Sequence, residues 1–176
     1  IGPRPEDKSV IVEDYPLLPV RRRFWEHVLR AVDKAGTAGQ LRTQLRIVYD
    51  AIRQTADASL GTVVPADFLF DEIGANLLQS GVLLREINEI IQSLDDGTDD
   101  GKLKSRLCAL VFLIRKLPRE AGVDIGVRAT AEMLSDLLVS DLPSGSAALR
   151  ARVSQLLDDL AGVHDGDVVG HLGDDA

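Results

Sequence analysis

Leu41, Leu45, Val48, Ile52 and Ala56 recur at intervals of three or four residues through LRTQLRIVYDAIRQTA. That spacing lines one face of an α-helix and suits no strand. The same interval returns in Phe24, Val28, Leu29 and Val32, in Leu83, Ile87, Ile90, Ile91 and Leu94, and in Leu103, Leu107, Leu110, Val111 and Ile114. A chain patterned in this way folds as packed helices. Only seven of its 176 residues are aromatic, so the core has to be built from Leu, Val, Ile and Ala, and a hydrophobic content of 45% suffices for one full core or two small ones.

Glycine and proline divide the pattern. Residues 1–18 hold three prolines and little apolar periodicity, which predicts an extended segment, with Val10–Val12 as a short strand or a docking point. A first helix is expected from Pro19 to about Ala35, since proline suits a helix's first turn. Thr37 can cap a second helix running to Ala58. Thr62–Val64 reads as extended, Pro65 opens a short helix that Gly74 ends, and a further helix follows Gly81. The Lys102–Leu117 helix has a wide apolar face and is expected at the centre of a second small core. Helices over Ala129–Asp141 and Ser146–Gly162 come next, and DGDVVGHL after His164 predicts a strand or partial hairpin. Three helices followed by a ribbon is the order of a winged helix.

Charge is uneven. Residues 1–60 carry ten Lys and Arg against eight acidic residues, and the rest of the chain carries a balance of −10. From Leu156 onward there are six aspartates and no Lys or Arg, which argues against a nucleic-acid-binding tail. Cys108 is the single cysteine, so no intramolecular disulfide exists, and no apolar run reaches the length of about 18 residues that a membrane span needs. The expectation is a cytoplasmic protein without membrane contact. The chain opens on Ile1, has one Met at position 133, and reads as a piece of a longer protein.

No free-standing active site is legible. GTDDGKL falls one residue short of a phosphate-binding loop, has Leu103 where the hydroxyl should be, and places Asp99 and Asp100 against the anion. As a calcium loop counted from Asp95 it has Asp100 where Gly is needed and Arg106 where Glu is needed. A solvated turn is the reading that remains. His27, His164 and His171 lack partners at metal-ligand spacing, and Cys108 sits among apolar residues as a core side chain. Arg21, Arg22 and Arg23 open the first helix against its dipole, so they should be exposed or paired with acids. With Trp25 they are a candidate interface. Arg42 and Arg46 share one helical face, and Asp50 stands one turn beyond Arg46 as an intrahelical partner.

The order of elements adds a resemblance. A helix, Gly36–Thr37, the arginine-bearing QLRTQLRIVYDAIR and then VVPADFLFDEI resemble the small helical lid of AAA+ ATPases, in which a sensor arginine reaches a nucleotide bound by the preceding core. More specifically, PLLPVRRRFWEHVLRAVDKAGTAGQLRTQLR, LGTVVPADFLFDEI, LLQSGVLLREINEII, LCALVFLIRKLPRE and GVRATAEMLSDLLVSDL resemble the region beyond the nucleotide-binding core in the large P-loop ATPases of bacterial phage-defence systems, of the bacteriophage-exclusion and phage-growth-limitation type. The resemblance covers roughly Tyr15–Leu142. It implies a mainly α fold: an extended segment over 1–18, a lid-like helical subdomain over 19–80, and over 81–176 a helical, winged-helix-like subdomain with a short C-terminal β-ribbon.

It implies a function as well. This chain would be a non-catalytic regulatory or interaction fragment, with ATP and magnesium belonging to the parent protein and no cofactor in the fragment. Its partners would be its own upstream ATPase core, other defence-system proteins, and DNA through the parent. Arg42 is then the first candidate for the nucleotide-sensing arginine and Arg46 the second, because a guanidinium stays charged and grips phosphate oxygens as a fork. Two alternatives stand beside this reading: a winged-helix DNA-binding module and a helical protein–protein adaptor unrelated to nucleotide.

Overall fold

Residues 2–33 and 41–162 are described by the computed structural model. They form eight helices: α1 (Asp7–Asp14), α2 (Pro19–Val32), α3 (Leu41–Thr55), α4 (Phe68–Gln79), α5 (Arg85–Ser93), α6 (Asp99–Arg115), α7 (Ala131–Leu138) and α8 (Ala147–Gly162). No strand occurs among the described residues, only an isolated antiparallel bridge between Thr62 and Asp141. This corrects the winged-helix expectation. The helices after residue 81 pack on one another with no wing beside them, and the ribbon expected after His164 lies outside the described residues.

The centre is α6. Leu103, Leu107, Leu110, Phe112, Leu113 and Ile114 are all buried, and the helix packs against α4, α5 and α7 in turn. A helix apolar on most of its circumference must be enclosed by neighbours. Its start is set by Thr98, whose Oγ1 accepts from Gly101 N at 3.0 Å, with Asp99 and Asp100 favourably placed in the positive first turn. The acidic DDGTDDG stretch is thus a helix cap.

The buried apolar residues form one cluster that runs from Leu17 to Leu156 and crosses position 80 without a break. It draws on Phe24, Trp25 and Val28 of α2, Phe70 and Ile73 of α4, Leu134 and Leu138 of α7, and Val153 of α8. Phe70 meets Phe112 edge to face at 5.9 Å, and Trp25 stacks on Phe68 at 5.8 Å.

Several boundaries differ from expectation. The N-terminal segment is helical over α1 because the Asp7 carboxylate accepts from Arg4 N at 2.8 Å and holds Arg23 of α2 through two contacts of 2.5 and 2.9 Å. Gly74 lies inside α4, which continues to Gln79. The Thr37 cap lies outside the described residues.

Residues 61–66 have no regular structure, yet they tie the turn before α2 to the end of α7 and the residues just after it. Val63 N donates to Ser140 O at 2.8 Å, Val64 N to Pro16 O at 3.0 Å, and Ala66 N to Leu137 O at 2.8 Å. Gly61 enters this segment at φ +100°, and a Cβ there would stand 2.7 Å from Pro143 Cδ. No residue with a side chain fits that position.

Candidate functional site: the outer face of helix α3

Helix α3 packs on α4 through Ile47 and Ala51, which are buried, and through the half-buried Val48. Of the stripe read from sequence as its core face, Leu45, Ile52 and Ala56 turn outward, while Val48 stays half-buried against the core. Leu45 is 60% exposed and Ile52 44%, and Tyr49 beside them is 63% exposed. The register differs from the sequence reading because Ile47 and Ala51, on the side of α3 away from Leu45 and Ile52, are the residues that enter the core.

At about 100° per residue, Leu45, Tyr49, Ile52 and Ala56 fall on one outward strip, and Arg42, Arg46 and Arg53 fall on the strip next to it. All seven are exposed. Arg46 is committed: its Nη1 stands 3.3 Å from Asp50 Oδ2 and 3.0 Å from Glu72 Oε2, which ties α3 to α4. Arg42 and Arg53 form no ion pair among the described residues. The face is therefore an apolar strip bordered by cations, two of them without an ion pair among the described residues, on a chain whose net charge is −8.

The other expected interface residues sit elsewhere. Arg21 is 1% exposed, and its guanidinium donates to Val64 O at 2.5 Å, Asp136 O at 3.0 Å and Val139 O at 2.6 Å. Burial pushes its pKa down to about 10, with Asp67 opposing the shift, so it stays charged at neutral pH. Trp25 is buried too, its Nε1 donating to Ala66 O at 2.8 Å. Arg22 pairs with Asp14 at 3.0 Å and Glu26 at 3.1 Å, and Arg23 with Asp7. These four side chains hold α2 in place.

Sequence reasoning passed over one further pair. Arg106 grips the buried Asp67 carboxylate at 2.6 and 3.0 Å, fixing the start of α4 to α6. Nothing local marks it, since the partners are far apart in the chain.

No group of His, Cys, Asp and Glu among the described residues is arranged to hold a metal ion, and no described helix is long and apolar enough to cross a membrane. Burial pushes the Cys108 thiol up to about 11, which makes it a poor nucleophile. His27 is lowered by burial and then by Arg30, and His164 and His171 lie outside the described residues. No protein-family model, curated protein or solved structure matches the chain.

Proposed function

We propose that the chain is a non-catalytic regulatory and interaction segment of a P-loop ATPase of the phage-defence type, acting through helix α3. The resemblance over Tyr15–Leu142 motivates the parent, and one observation supports the mode of action: Arg42 is exposed and unpaired among the described residues, whereas Arg46 is held by Asp50 and Glu72. An unpaired guanidinium at the start of a helix is free to engage phosphate oxygens presented by another domain. Arg42 is thus the sensing residue in this reading, and Arg46 a strut. ATP and magnesium bind the parent's core, and DNA contact belongs to the parent.

In the full-length protein, Arg42→Ala should lower ATP turnover by about tenfold or more, while Arg46→Ala leaves it within about twofold. Unchanged turnover in the Arg42 variant, or an upstream sequence without a phosphate-binding loop, overturns the nucleotide link. A second reading, a protein–protein adaptor without nucleotide, is favoured by the exposed Leu45, Tyr49 and Ile52 strip. The two differ in whether an upstream ATPase responds to changes on α3.

A further inference from the structure

We infer that the outer face of α3 is a docking strip for an acidic amphipathic helix of a partner protein. The inference deepens the interaction half of the function proposed above and needs no nucleotide.

Three observations converge. First, Leu45, Tyr49 and Ile52 stand at i, i+4 and i+7 on one strip, the spacing by which a helix presents anchors to another helix. They are exposed while Ile47 and Ala51 on the same helix are buried, so three large apolar side chains of α3 stay in water and would gain from burial against a partner. Tyrosine adds a phenol that tolerates the wet edge of an interface.

Second, three arginines border the strip, and among the described residues acids are bound only to the middle one. Arg42 and Arg53 lie at the two ends of the strip, about 16 Å apart along the axis at 1.5 Å per residue. Neither forms an ion pair among the described residues, and Arg46 between them already holds Asp50 and Glu72. Carboxylates on a partner helix, spaced about three turns apart, would meet both guanidinium groups while its apolar residues cover Tyr49.

Third, other occupants fit less well. A second copy pairing antiparallel would set the arginine strip against itself, and like charges so placed repel. Duplex DNA would satisfy the arginines and leave Leu45, Tyr49 and Ile52 without an apolar complement. A peptide offering both carboxylates and leucines satisfies both strips.

The test uses the whole chain and a panel of short fluorescein-labelled helical peptides carrying Leu at i, i+4 and i+7 with Glu at the flanks, in several registers, read by fluorescence anisotropy. A matched panel carries Lys in place of Glu. At least one acidic peptide should bind, and its Lys counterpart should bind about tenfold more weakly or not at all. Tyr49→Ala should weaken binding by about tenfold or more, as loss of a central aromatic anchor does. Arg42→Glu combined with Arg53→Glu should abolish it, and circular dichroism should show all variants folded. No binding by any acidic peptide, or equal binding of acidic and basic panels, overturns the inference. So does a concentration-dependent dimer that Tyr49→Ala dissolves, since the occupant is then a second copy. Binding that appears only in a variant ending at Gly162 assigns the strip to the chain's own aspartate-rich C-terminal residues and overturns it equally. None of these readings involves ATP hydrolysis, so the fate of the Arg42 turnover test leaves them unaffected.

Discussion

Arg21 carries a structural load that its charge alone would not suggest. Its guanidinium closes three backbone carbonyls, from residues 64, 136 and 139, that no helix or sheet ladder satisfies in their place. Replacing it with Met keeps much of the volume and removes every donor. Arg21→Met should therefore cost about 3 kcal/mol or more, the scale of breaking a buried charged hydrogen-bond network, measured by urea denaturation. Lysine should rescue only part, because one ammonium cannot span three carbonyls in a plane. Gly61 is sensitive for a different reason: a methyl group there meets the Pro143 ring in a backbone conformation that disfavours any side chain, so Gly61→Ala should lower the melting temperature measurably. The position of Arg21 was legible. It stands three, four and seven residues before Phe24, Trp25 and Val28, all buried, so it shares their face of α2, and the helical interval itself points it inward. Weighing the run Arg21–Arg23 by charge instead of by interval hid this.

The helices themselves were mostly visible in the sequence, and their orientation was not always so. Spacing located α2, α5, α6, α7 and α8 to within a few residues, and α6 and α7 also carry clear caps in Thr98 and Thr130. Helix α3 shows where spacing fails: two apolar stripes coexist, and the choice between them depends on what α4 offers. Its register has a direct check. Ile47→Ala should destabilise by about 2–4 kcal/mol, whereas Leu45→Gln should change stability by less than about 0.5 kcal/mol, by thermal or chemical denaturation. The opposite ranking would restore the leucine stripe to the core. Helix α1 was missed because its ordering comes from a residue on another helix, the Arg23 partner of Asp7, which no local pattern records.

That pairing makes α1 acid-sensitive. The hydrogen bonds from Arg23, and then from Arg4 N, hold the Asp7 pKa at about 2, against an ordinary value of 3.8. A depressed carboxylate stabilises fully above its unfolded pKa and loses that contribution as pH falls toward the folded one. The docking of α1 should thus weaken between about pH 4 and pH 2. Amide exchange across Asp7–Asp14 would report it, and Asp7→Asn should remove the pH dependence there. Unchanged protection down to pH 2 would mean that other contacts hold the helix.

For the molecule as a whole, continuity of the core matters more than the count of helices. A division at residue 80 would predict two melting units, yet the apolar cluster passes through α4 and α6 without interruption. Trp25 is the only tryptophan and stacks on Phe68, so its fluorescence reports one end of that cluster, while far-ultraviolet circular dichroism reports all helices. The two signals should change together in a single urea transition. Two separated transitions would instead place the boundary where sequence reading put it. The candidate site was only partly legible at this scale: Arg42 and Arg46 could be named from their interval and Asp50 as a partner of Arg46, but the tie from Arg46 to Glu72 of α4 could not.

The irregular segment 61–66 has a consequence for how the molecule opens. Its amides are bonded to carbonyls from both the N-terminal part and the end of α7, and Val63, Val64 and Ala66 are buried. To free the segment as a whole, its contacts with residue 16 and with residues 137–140 must part together. A stretch without a single turn of helix would then exchange its protons as slowly as the middle of α6, and only by global unfolding. A loop would share the slowest exchange in this helical protein with its central helix.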